Sequence, residues 1–215
     1  MNRTARMFDV GSLILLGGAV ALTVASYDAL PARIPTHFGL SGQANDWTRR
    51  DVGAWLIPAI GLVTWALVRF TAVWAPGAWR ARAAQSPMPA VGFLTAAVMA
   101  GAQGMILWGS FHPGESIGRA LAFGLAALQI AFAFVMPRTR RNPVIGIRVA
   151  WTLASDENWA RTHRLAGQSY AVCGVVALLG ALVGGSAALP IAFVTLLAGT
   201  AVPGVYSYVI ARGEA

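Results

Sequence analysis

Six runs of apolar residues constrain this chain more than any other feature of its sequence. They span roughly Phe8–Ser26, Val52–Val73, Ala90–Ser110, Ile117–Met136, Tyr170–Ala187 and Leu189–Ile210. Each is close to the about 20 residues that an α-helix needs to cross about 30 Å of hydrocarbon. Water cannot accommodate such a set: 57% of the 215 residues are hydrophobic and 11% are charged, against about 25% charged in a typical soluble domain. The 24 glycines suit close helix contact in lipid, where hydrophobicity cannot drive helices together. The expected fold is therefore all-α: a polytopic membrane protein with a bundle of six transmembrane helices and both termini cytoplasmic. Residues 1–136 would hold the first four helices with an outer-loop motif at 30–47. Residues 137–215 would hold a cytoplasmic loop at 137–167 and a C-terminal helical hairpin turning tightly at Gly184–Ala188. A cleavable signal peptide is the rival reading of the first run. The run's length, and the lack of a small-x-small site before Tyr27, disfavour it.

A net charge of +8 and a pI near 11.2 raise the possibility of nucleic-acid binding, but the placement of the charge argues for a membrane partner. The chain has no lysine. Arg3, Arg6, Arg69, Arg80, Arg82, Arg138, Arg140, Arg141, Arg148, Arg161, Arg164 and Arg212 fall on one side of the six runs, and only Arg33, Arg49, Arg50 and Arg119 on the other. That asymmetry assigns the Arg-rich side to the cytoplasm, with the bilayer as partner and no direct nucleic-acid contact. Trp74, Trp79, Trp108, Tyr206 and Tyr208 lie near run ends, where amphipathic rings prefer the interface; Trp55 and Trp65 read as packing residues. The lone Cys173 sits inside an apolar run and reads as a small buried hydrophobe.

Two connections carry the information. The outer one contains Pro31 and Pro35, which restrict the backbone and remove amide donors, and Gly39 and Gly42, which permit unusual angles. Such a segment is expected to be an ordered, turn-rich loop, with Ile34, Phe38 and Trp47 packed on helix ends. His37 and Asp46, with His112 and Glu115 from the next outer turn, are the candidate binding groups. Two imidazoles and two carboxylates suit a divalent metal. No pair has the i, i+4 spacing of HExxH, so the alternative is that His37 hydrogen-bonds within its loop and Glu115 caps the fourth helix. No cofactor motif is present.

The inner connection has a turn at Asn142-Pro143 and a flexible point at Gly146. Ser155 before Asp156 and Glu157 reads as a helix start. Glu157 can meet Arg161, and Trp159 can meet His163, on one helix face. The expectation is a short interfacial helix leading into the fifth span. Arg138, Arg140 and Arg141 are expected to anchor at anionic headgroups, and Arg148 to pair with Asp156 or Glu157. Trp151 and Arg164 complete the candidate set.

Together these stretches resemble the Sdp-type immunity protein family. Leu30–Trp47 looks like the family's N-terminal domain of unknown function, with the residues L-P-x-x-I-P-x-H-F-G-x-x-G-x-x-N-D-W. Asn142–Gly167 looks like its second signature, N-P-x-x-G-I-R, W-T-L and W-x-x-T-H-R-L-A-G. The resemblance implies a non-enzymatic six-helix protein that protects a bacterium from a secreted peptide toxin and, in the best-known system, sequesters a cytosolic repressor. Pro31, Pro35, His37, Phe38, Gly39, Gly42, Asp46 and Trp47 would then face the toxin. Asn142, Pro143, Gly146, Arg148, Trp151, Asp156, Trp159, His163 and Arg164 would face the cytoplasm. The alternatives are a small transporter or exporter of a peptide or lipid, and a metal-dependent membrane enzyme using the outer His and acidic residues. Gln103 and Gln129 are the main polar residues inside the helices.

Overall fold

The computed structural model describes residues 3–74, 77 and 86–213; Trp79, Arg80 and Arg82 lie outside the described residues. The order is α1 (Arg3–Ser26), β1 (Arg33–Phe38), β2 (Ala44–Arg49), α2 (Arg50–Trp74), α3 (Met88–Phe111), α4 (Gly118–Val135), a short α5 (Ala150–Ala154), α6 (Asp156–Val183) and α7 (Ala188–Gly213). Helices α1, α2, α3, α4, α6 and α7 are long and apolar enough to cross a membrane. The side of the bundle that holds the start of α1 and the end of α7 is here called the terminal face; the opposite side is the hairpin face.

The helices pack as two groups of three. In one, α3 packs on α1 and α2; in the other, α6 packs on α4 and α7, while contact between α3 and α4 is slight. The second group closes on alanine methyls: Ala122 and Ala126 of α4, Ala177 and Ala181 of α6, and Ala188 and Ala192 of α7 are all buried together. Residues this small let helix backbones approach closely, which is how van der Waals packing holds helices in lipid.

Each group carries one buried amide. In α2, Pro58 has no N–H to give the carbonyl of Ala54, four residues back. Gln103 of α3 supplies it: Nε2 donates to Ala54 O at 3.0 Å and to Thr23 Oγ1 of α1 at 2.8 Å. Thr23 in turn donates to Ala19 O at 2.8 Å. One side chain, 1% exposed, thus joins three helices and repairs a proline gap. Gln129 of α4 plays the corresponding part in the second group, donating to Ala192 O of α7 at 3.2 Å. At the terminal face, Asp9 and Arg69 tie α1 to α2 through two parallel bonds of 2.6 and 2.8 Å, the fork geometry that makes Arg–carboxylate pairs strong.

Three expectations change. The outer segment is not an irregular loop but an antiparallel β-hairpin, with Ile34 opposite Thr48 and Pro35 opposite Trp47. Its Pro is tolerated because a two-stranded sheet has only edges, and the Thr36 and Thr48 hydroxyls bond across it at 2.8 Å. Second, the interfacial helix and the fifth span are one continuous helix, α6, starting 14 residues before Tyr170. At about 1.5 Å per residue its 28 residues reach about 42 Å, so its first turns extend past an about 30 Å hydrocarbon layer. Third, Glu115 does not cap α4, which begins at Gly118 with no acid in its first turn.

Replacing Gln103 with Leu is expected to cost about 1–2 kcal/mol, the range for a buried hydrogen bond in a bilayer. Pro58→Ala restores an N–H for Ala54, so in that background the Gln103→Leu cost should fall to about half or less. Unfolding of the four proteins in bicelles by steric trapping measures the cycle; strictly additive costs would contradict the assigned role of Gln103.

Candidate functional site

The hairpin is positioned by flat helix ends. Ile34 is fully buried with Leu30, Ala54, Ile106 and Leu107, and Tyr27, Phe38 and Trp55 pack against them. A Cβ at Gly53 of α2 would sit 3.0 Å from the Ile34 side chain, and one at Gly109 of α3 would sit 3.2 Å from the Phe38 ring. The hairpin tip docks elsewhere. Gly42 adopts φ +75° and lies so near α4 that a Cβ would overlap the backbone of Gly118. Its carbonyl accepts from Ile117 N at 2.9 Å, and Ser116 Oγ donates to Ser41 O at 2.7 Å. Gly39 closes the turn, donating to Gln43 O at 3.0 Å.

Between the hairpin and the α3–α4 turn lies a cavity of about 430 Å³. Pro31, Pro35, Phe38 and Trp47 form its apolar wall, and His112 and Glu115 line the other side. The four proposed metal ligands are thereby split. His37 and Asp46 are cross-strand neighbours outside the cavity lining. His37 Nδ1 donates to Asn45 Oδ1 at 2.5 Å, and Asp46 Oδ1 accepts from Trp47 N at 2.9 Å. His112 stacks on Trp108 at 4.4 Å and donates to its carbonyl. Among the described residues no three His, Cys, Asp or Glu side chains converge.

On the terminal face the segment between α4 and α6 is folded around side chains, not left as a loop. Asn142, with no exposure, accepts at Oδ1 from Val144 N and Ile145 N at 2.8 and 2.9 Å, the Asx geometry that makes Asn-Pro a turn. Gly146 takes φ +115° and meets the ring edges of His163 and Trp159; a Cβ there would overlap His163 Nε2. His163 Nε2 accepts from Ile147 N at 3.0 Å while Nδ1 donates to Trp159 O at 2.8 Å, which fixes the neutral ring with its proton on Nδ1. Trp159 stacks on that ring at 4.0 Å and donates to Thr139 O at 3.0 Å. Trp151 donates to Ser207 Oγ of α7 at 2.8 Å and packs on Tyr208.

Local expectations fare well here. Ser155 accepts from Asn158 N at 3.1 Å as the N-cap of α6, and Glu157 reaches Arg161 at 3.7 Å. Arg148 does not pair with Asp156 or Glu157: it donates to Pro143 O within its own turn. The partner of Asp156 is Arg141, at 2.7 Å, so Arg141 braces the loop and also donates to Leu153 O at 2.6 Å. An ion pair three residues beyond a tight turn depends on where the turn aims the chain, which spacing does not specify.

Several contributors read only as charge or polarity in the sequence. Arg50 donates to the carbonyls of Tyr27, Asp28 and Leu30 beyond the end of α1, at 3.2, 3.4 and 2.9 Å. Arg119 donates to Ala181 O and Leu182 O at the end of α6, at 3.0 and 2.9 Å. Cations at helix C-termini satisfy orphan carbonyls and the dipole together. Thr152, Asn158 and Thr162 are buried and bonded; three polar residues in a chain this apolar are the signal that marks them.

Residues 138–207 match the SdpI/YfhL protein family, and residues 14–62 match a domain of unknown function, DUF1648. The first match spans the folded terminal-face segment with α6 and most of α7, and the second spans the hairpin with the adjoining halves of α1 and α2. No curated protein and no solved structure matches the chain.

Gly146→Ala should strain the backbone and push on His163, lowering stability by about 2 kcal/mol or more. Thermal unfolding and trypsin cleavage after Arg140, Arg141 or Arg148 measure it. Gly146→Ala with His163→Ala should recover part of the loss; no recovery would place the strain elsewhere.

Proposed function

We propose, for a chain whose C-terminal part matches the SdpI/YfhL protein family, that it is a bacterial immunity and signal-transduction protein acting against a secreted antimicrobial peptide. Its six helices long and apolar enough to cross a membrane, together with that match, support a multi-pass membrane protein of the immunity type. On this reading the hairpin face lies outside and the terminal face in the cytoplasm of the inner membrane, as the arginine bias directs. The peptide then meets the hairpin, whose cavity between Phe38, Trp47 and Glu115 offers an apolar wall beside a carboxylate. A cytosolic repressor is captured at the segment built on Asn142, Gly146, Trp159 and His163.

The observation that carries this reading is the placement of two folded, rigidly anchored elements at opposite ends of an apolar bundle. Polar groups within the bundle, Gln103 and Gln129, are engaged in joining helices. Such an arrangement suits recognition at both faces more than chemistry or passage through the middle.

Expression in a bacterium sensitive to the cognate peptide should raise survival, and Gly42→Val, which undocks the hairpin tip, should abolish protection while the protein stays in the membrane. Equal killing with and without the wild-type protein, its membrane level confirmed by blotting, would overturn the reading.

A further inference from the structure

We infer that a cavity on the terminal face, between the end of α4 and the first turns of α6, binds the phosphate headgroup of an anionic phospholipid. The cavity measures about 680 Å³, and Arg138, Arg140 and Arg164 line it together with the braced pair Arg141 and Asp156. Its charge is unbalanced. Asp156 is taken by Arg141 at 2.7 Å, and Glu157 by Arg161 at 3.7 Å. Among the described residues Arg140 and Arg164 meet no carboxylate. Arg138 commits one nitrogen, Nη1, to Phe134 O at 2.6 Å, and a guanidinium keeps four further N–H groups. Three cations around one hollow, with no balancing carboxylate among the described residues, form the donor set that phosphate oxygens fit in bidentate fashion.

Depth selects the source of the phosphate. The apolar part of α4 ends at Val135, with Arg138 one turn beyond. Arg164 lies on the part of α6 that precedes its apolar run from Tyr170. Both walls therefore open at headgroup level, where basic pockets between helices collect anionic lipids. Trp159, buried against His163, also borders the cavity. The site shares Trp159 with the segment proposed to meet the repressor, but the lipid assignment rests on the arginines alone and does not require the immunity reading.

The test uses the full chain in nanodiscs of phosphatidylcholine doped with phosphatidylglycerol or cardiolipin, with retained lipid read by native mass spectrometry. The wild type should retain the anionic lipid at least fivefold over phosphatidylcholine. Arg140→Gln with Arg164→Gln should bring that preference down to about twofold or less, each single change reducing it in part. Arg212→Gln, on the same face but outside the cavity, should leave it intact. Circular dichroism of each variant confirms the fold, and the single variants provide the readout if the pair does not fold. Unchanged retention by the folded variants would overturn the assignment. So would displacement of the lipid by millimolar inorganic phosphate or by an acidic peptide, since either marks a site for soluble anions.

Discussion

A backbone carbonyl inside a bilayer has no water to turn to, and that single fact organises the first half of this molecule. Pro58 frees the carbonyl of Ala54 in the second turn of α2. The protein answers with Gln103, which reaches it from α3 and holds Thr23 of α1 with the same nitrogen. The helices around it contribute mostly small or aliphatic contacts, which in lipid carry little specificity of register. The amide therefore sets the register of α1, α2 and α3 against one another. The hairpin inherits that register, because Ile34 and Phe38 rest on surfaces that α2 and α3 compose jointly.

The two faces solve similar problems with different means. On the hairpin face, glycine removes side chains so that close contacts can form: Gly42 against the backbone of Gly118, Gly109 against the ring of Phe38. On the terminal face, buried side chains replace missing secondary structure. Asn142 imitates a turn, His163 accepts a loop amide, and Trp159 anchors Thr139. Both solutions yield order without a large apolar core, since the core of this protein lies in the membrane.

What could be read in the sequence divides along the range of the forces. The six helices are legible because a bilayer imposes length and polarity on each one separately. The cap at Ser155, the turn at Asn142 and the stacking of Trp159 on His163 are legible because they act within four residues. The unbroken run of α6 from Asp156 into the fifth span is hidden by its own composition: Asp156, Glu157, Asn158, Arg161, His163 and Arg164 look solvated, yet Asn158 and His163 are buried against the preceding loop and α7. The hairpin was hidden by Pro35, which argues against a strand unless the strand is an edge. The tasks of Arg50, Arg69 and Arg119 were hidden because a charge count records where a cation lies, not which carbonyl or carboxylate it meets.

The docking of the hairpin tip has a mechanical meaning. The base of the hairpin is seated on α2 and α3, while its tip is fastened to the start of α4 by the Gly42 carbonyl and the Ser41–Ser116 bond. Contact between α3 and α4 is otherwise slight, and a shallow apolar groove of about 310 Å³ runs along their junction. The hairpin is thus a strap buckled across the seam between two three-helix blocks. A load that lifts its tip falls on the second block through α4, and α4 ends 18 residues later beside Thr139, the carbonyl on which Trp159 is hung.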